Sequence, residues 1–425
     1  MKPVIPACKH AFCERRHSER AFPSRPPIAL RPVLFDPRAH EPLHDGEWRP
    51  AAAEAEVRAI ARAADEALRD GEWWPLHPLD DDGETPDALH GVYLGAAGVL
   101  WALDHLSRAD LHEPGHDYAR LALDALEGYR RQPEFGGPLP SLWVGEGGIA
   151  LVAWLLAPSR ELADRLAELS AVPEPDTLEL LWGSPGLLAI ADTMLERTGD
   201  PRWAAAWSAL AQGLMDLWGE RVPHFWTQRL SGSEEELVGA GHGLAGVLAV
   251  LARRPELLPH ERLLPGAVAA LSATAIREDG RANWPPSVTE GLVHRTGTIR
   301  TQWCHGAPGI VTSLAALPGG TELDGLLLAG GELTWTAGPL GKGAGLCHGT
   351  AGNGFALLKL FARTGDEAWL GRARSFAMHA AAQVEADRAR FGRGRHTLWT
   401  GDLGTAIFLR QCLASASELP AIESW

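Results

Sequence analysis

The sequence predicts an all-α chain of seven inner and seven outer helices, stacked as a solenoid or closed into a double ring, an α/α toroid. Three observations carry that prediction. A Gly-x-x-Gly pair followed by an apolar helical run occurs seven times, at Gly95/Gly98, Gly145/Gly148, Gly183/Gly186, Gly243/Gly246, Gly306/Gly309, Gly349/Gly352 and Gly401/Gly404. Long stretches at 51–70, 201–218 and 366–387 set apolar and Ala positions three to four residues apart, with charges opposite. Strand signals are scarce, with three tyrosines in 425 residues and no sustained alternation of period two.

Along the chain, the first forty residues differ from the rest. They carry eight Lys/Arg against three Asp/Glu, with prolines at 3, 6, 23, 26, 27, 32 and 37. No helical period survives that, so residues 1–45 are expected to form an extended N-terminal arm. Cys8, His10, Cys13 and His17 fit no closed zinc spacing well and are assigned to a mobile terminus. From 46 to 425 a toroid domain is expected. Each unit has the same logic. Glycine at a helix start permits a tight turn and close backbone approach. The apolar run behind it, such as VLWAL, IALVAWLL or FALLKL, is too hydrophobic to be exposed and lies inside. The more charged helix between runs lies outside. Units spaced 38 to 63 residues apart stack as a solenoid or close into a ring. A closed ring gathers all seven glycine turns around one mouth.

Composition narrows the function. Hydrophobic residues are 45% and charged residues 22%, which excludes disordered, collagenous and disulfide-framework classes. A net charge of −15 argues against a nucleic-acid surface. The longest apolar run, Gly147 to Ala157, is too short to span a bilayer, and no secretory signal opens the chain. Five cysteines give no disulfide framework, so a reducing, cytoplasmic setting is expected.

Two turns carry chemistry. RTQWCHGAPG supplies Arg300, Cys304 and His305, and KGAGLCHGTAGNG supplies Lys342, Cys347 and His348. Either cysteine alone is more simply a small buried hydrophobe. Cys-His-Gly at the same point of adjacent units instead suggests two thiolates and one imidazole on one Zn2+, with a fourth position open. His305 and His348 are equivalent in register, and the residues alone do not choose between them. His242 stands at the same offset before its glycine and suits proton transfer at neutral pH. Glu179, four residues before Gly183, is placed to orient a partner. Arg300 and Lys342 are cations suited to a substrate carboxylate or a developing oxyanion. Cys412, inside the last apolar run, is expected in the core.

GHGLAG (241–246), QWCHGAPG (302–309), GLCHGTAGNG (345–354) and the sevenfold glycine pair resemble the lanthionine synthetase C-like (LanC-like) family over about residues 90–415. The resemblance implies one zinc per chain on Cys304, Cys347 and His348, leaving His305 as a substrate contact. It matches His242 to the acid/base histidine and Arg300 to an active-site arginine. The implied reaction is addition of a peptide cysteine thiol to dehydroalanine or dehydrobutyrine, closing a thioether. Other details resemble the eukaryotic-type branch, which adds glutathione to dehydroamino acids in proteins. ELLWG places Glu179 where cyclases carry Asp, RAFPS supplies Arg20, and Lys342 matches a lysine associated with glutathione. The expected partner is a dehydroamino-acid-containing peptide or protein. It would be made by a separate dehydratase or kinase, since this chain has no dehydratase-sized extension. A metallohydrolase is disfavoured because HExxH is absent. A glycosidase would need paired acids, for which Glu146, Glu179 and Asp402 are the few candidates. A non-catalytic helical scaffold would bind no metal or leave it no open position.

Overall fold

A computed structural model describes residues 33–425, apart from 45, 69–72, 82, 84–88, 136, 172–176, 219–223, 231–232 and 289–298. In chain order, α1 (Pro50–Ala67) is followed by α2 (Ala96–Arg108), α3 (Tyr118–Arg131), α4 (Glu146–Leu156) and α5 (Arg160–Ser170). Next come α6 (Ser184–Thr198), α7 (Pro201–Leu217), α8 (Leu244–Leu251), α9 (Leu264–Thr274) and α10 (Ala307–Leu314). The last are α11 (Thr321–Ala337), α12 (Thr350–Thr364), α13 (Glu367–Phe391) and α14 (Asp402–Ala414). Each even-numbered helix begins directly after the first glycine of one pair and is buried almost all round. Each even helix touches the next, and α14 touches α2, so the inner ring closes. The odd helices bury one stripe and form the outer layer. The outer partner of α14 includes α1, from the far end of the chain.

Local chemistry separates the two layers. Outer helices α3, α5, α7 and α13 start on the side chains of Asp117, Ser159, Asp200 and Asp366, each accepting a first-turn N–H. Inner helices start on glycine with no side-chain cap. In six of the seven, the first N–H bonds back into the preceding turn instead, as in Ala96 to the Leu89 carbonyl at 2.8 Å and Thr350 to Gly343 at 3.0 Å. The turn is tight enough to require its glycines. A Cβ on the second glycine of any pair would lie 1.6–2.7 Å from the carbonyl oxygen six residues earlier. That single contact explains why the pair recurs in all seven units.

The ring's centre is filled by aromatic side chains. Trp143, Trp303 and Trp399 are almost wholly buried, with ring centroids 4.2–5.8 Å apart, and Tyr93 stacks on Trp143 and Trp399. The inner ring therefore encloses a packed core.

Two features depart from the all-helical expectation. β1 (Thr227–Leu230) pairs antiparallel with β2 (Ser233–Glu236), and β3 (Ile276–Glu278) with β4 (Arg281–Asn283). The second hairpin turns through Asp279 and Gly280, at φ +50° and +75°. Asp-Gly is the dipeptide such a turn favours, a short signal outweighed by the helical periodicity around it. The described end of the arm is also more anchored than its composition suggests. Leu34 is buried, Pro37–Ala39 form a 3-10 turn, and His379 Nε2 donates to Glu41 Oε1 at 2.6 Å. Cys8, His10, Cys13, His17 and Arg20 lie outside the described residues.

Candidate metal and thiol site

The turns before the inner helices meet through their backbones. Counting two residues back from each first glycine gives Tyr93, Trp143, Leu181, Gly241, Cys304, Cys347 and Trp399. Gly241 N–H donates to the Cys304 carbonyl at 3.4 Å, Cys304 to Cys347 at 3.1 Å, and Cys347 to Trp399 at 2.8 Å. Trp399 then donates to Tyr93 at 3.3 Å, and Tyr93 to Trp143 at 2.9 Å. A belt of main-chain bonds thus runs round most of the mouth. It fixes the two cysteine turns side by side, whatever their side chains do.

Small residues let the neighbouring turn close up. A Cβ on Gly239 would lie 2.3 Å from the Cys304 carbonyl oxygen, and one on Gly241 3.1 Å from the Cys304 Cβ. This brings His242 beside the first cysteine turn, with its ring centroid 5.8 Å from that of His305. His242 Nδ1 donates to Glu179 Oε2 at 2.8 Å. Glu179 is fully buried and held by the N–H groups of Leu181 at 3.1 Å and Trp182 at 2.5 Å. A carboxylate on Nδ1 fixes the tautomer, with the proton on Nδ1 and the acceptor lone pair on Nε2.

Cys304 and Cys347 are buried and neither forms a disulfide. His348 is partly exposed, yet its Nδ1 is sealed from solvent with no hydrogen-bond partner. Burial, with Arg395 and Lys342 nearby, pushes this imidazole down to about 3, so it is neutral at physiological pH. Arg300 lies close enough for its charge to act in the same direction. Lys342 is exposed at the rim. Among the described residues, no three His, Cys, Asp or Glu side chains stand grouped as a formed metal cluster. In kind, the donors do fit zinc: two buried cysteines outside any disulfide on hydrogen-bonded turns, and a neutral imidazole with an orphaned nitrogen.

The remaining sequence candidates fall outside this group. Cys412 is fully buried in α14, and burial pushes its thiol up. Glu146 is engaged by Arg130 and Arg165 at 2.7–2.9 Å. Asp402 accepts from the Arg395 backbone N–H at 3.1 Å.

Sequence reasoning missed Gln302 and Asn283. The Cys304 turn is the irregular one. Gly306 has φ +102°, and Ala307 N–H bonds to Asn283 Oδ1 at 2.8 Å instead of a carbonyl in its own turn. Asn283 Nδ2 reaches the Leu34 carbonyl at 2.6 Å and the Arg300 carbonyl at 3.3 Å, tying the arm to this turn. No local pattern marks Asn283, because its partners are distant in sequence.

A closed ring of paired helices with cysteine, histidine and glutamate converging at one mouth defines a toroidal protein with a thiol-bearing site. The chain belongs to the lanthionine synthetase C-like protein family, whose pattern matches residues 86–423. It is 31% identical over 206 residues to "Glutathione S-transferase LANCL1" of Danio rerio, covering 45% of this chain and 46% of that one. It is 33% identical over 145 residues to "LanC-like protein GCL1" of Arabidopsis thaliana, covering 33% and 32%. The chain thus spans about half the length of the first relative and a third of the second. The fold is similar to that of "Nisin cyclase", at TM-score 0.54 and 17% identity, covering 87% of this chain and 96% of that one. No helix among the described residues is long and apolar enough to cross a membrane.

Proposed function

We propose that this chain activates a thiol for addition to dehydroalanine or dehydrobutyrine, forming a thioether, with one Zn2+ held by Cys304, Cys347 and His348. The observation that carries this reading is the direct bond between the two cysteine turns, with His242 on the neighbouring turn and paired to Glu179 on the next. When bound, zinc supplies a site at which an incoming thiol loses its proton and becomes nucleophilic. Loading it requires the three donor side chains to draw together from positions their turns already set. His242 Nε2 moves the proton that the α-carbon finally needs. Glu179 holds the ring for that transfer. Arg300 offsets the charge that develops on the substrate carbonyl. His305 and Lys342 contact substrate, and Arg20 is an arm residue proposed for the same role.

The electrophile is a peptide or protein already bearing a dehydroamino acid, supplied by a separate dehydratase or kinase. The setting is cytoplasmic, where free thiols persist. A second reading, with glutathione as the thiol, is favoured by the 31%-identical relative whose name is a glutathione S-transferase.

The test incubates the zinc-treated chain with a dehydroalanine peptide and glutathione, and follows products by mass. A glutathione adduct formed faster than without protein supports the second reading. Ring closure of a peptide carrying both cysteine and dehydroalanine supports the first. No acceleration of either reaction contradicts both and returns the chain to a helical scaffold.

A further inference from the structure

Four residues before the first glycine, two turns place a long polar side chain. One is Glu179, which grips His242. The other is Gln302, only 3% exposed. Gln302 Nε2 donates to Cys304 Sγ at 2.9 Å. Its backbone is pinned, because Gln302 N–H bonds to the His305 carbonyl at 3.0 Å and His305 N–H to the Gln302 carbonyl at 3.1 Å. The amide therefore leaves a fixed tetrapeptide loop and ends on the sulfur two residues ahead. Three of the equivalent positions are glycine, at Gly91, Gly239 and Gly345, and the others are Ser141 and Thr397. Glutamine at this register is confined to the first cysteine turn.

We propose that Gln302 is a positioning residue for the metal. It sets the rotamer of Cys304 and offsets the sulfur's charge when that sulfur coordinates. The inference rests on the zinc reading above and adds to it a residue that is not itself a ligand. A neutral N–H on a ligating sulfur does two things. It orients the ligand before the ion arrives, and it stabilises the thiolate form that binds the metal.

The test measures zinc dissociation constants on the full chain by competition with a chromophoric chelator, comparing wild type, Gln302→Met and Gln302→Glu. Methionine keeps the length and apolar fit without the donor. Glutamate keeps the shape and presents only acceptors. Both are expected to bind zinc about ten- to a hundredfold more weakly, with metal-free melting temperatures close to wild type for Gln302→Met. With Co2+ in place of zinc, the sulfur-to-metal charge-transfer band of Gln302→Met should move to lower energy, a shift that a purely structural role would not produce. Wild-type affinity together with an unmoved band in Gln302→Met overturns the inference and leaves the zinc reading intact. A wild-type chain that binds no zinc overturns both.

Discussion

The backbone N–H of Cys304 donates to the carbonyl of Cys347 at 3.1 Å, joining two turns from adjacent repeats. The bond belongs to the main chain, so it survives replacement of either thiol. Cys304→Ala should therefore keep the ring, at a cost of about 1–2 kcal/mol for the lost buried sulfur, and should abolish stoichiometric zinc. Metal analysis beside a urea melt separates the two effects. Full zinc in a folded Cys304→Ala chain would remove this residue from the ligand set.

The Glu179–His242 pair predicts a different pattern. His242→Ala should retain zinc and lose about 10²–10⁴ in the rate of thioether formation. Glu179→Gln should also retain zinc and lose less, since the ring is misoriented but present. Adduct formation measured by mass, with zinc content on the same samples, reads both quantities. A His242→Ala chain as fast as wild type would assign proton transfer elsewhere.

Two glycines, one in a pair and one outside, predict stability effects of opposite sign. A Cβ on Gly309 would sit 1.8 Å from the Trp303 carbonyl oxygen, so Gly309→Ala should destabilise by about 3 kcal/mol or more. Gly213 lies within α7 with nothing within 4 Å of the corresponding position. Gly213→Ala should stabilise by about 0.5–1 kcal/mol. Chemical denaturation ranks the two, and the reverse order would dissolve the explanation given for the repeat.

Asp402 predicts a pH dependence. Burial, opposed by Arg388 and the Arg395 N–H, lifts its carboxyl from the usual 3.8 to about 7. The folded chain keeps this proton where the unfolded chain has released it. Its contribution is thus complete below about pH 3.8 and is lost as pH rises through about 7. Asp402→Asn, neutral throughout, should flatten the decline in melting temperature across that window. An unchanged slope would show that other groups set it.

The toroid was legible because one contact, second glycine against a carbonyl six residues back, is local and repeats seven times. Cys304, Cys347 and His242 were legible for the same reason: each occupies a fixed offset from its glycine. Glu179 stood out only through its position, and its contact with His242 emerged from the closed ring. The main-chain belt, the aromatic plug and Asn283 were not legible. Each depends on which turns become neighbours after closure, and Asn283 sits in a hairpin whose Asp-Gly signal is two residues long. No pattern marks Gln302, because its contact with the Cys304 sulfur depends on how the loop folds.

X-ray absorption at the zinc edge of the purified chain, with and without added thiol, reads the ligand set itself. The expected spectrum shows one zinc per chain with two sulfurs at about 2.3 Å and lighter N/O donors at about 2.0 Å, and a third sulfur once glutathione or a cysteine peptide is added. Absence of zinc, or a four-donor protein shell that no thiol alters, would contradict it.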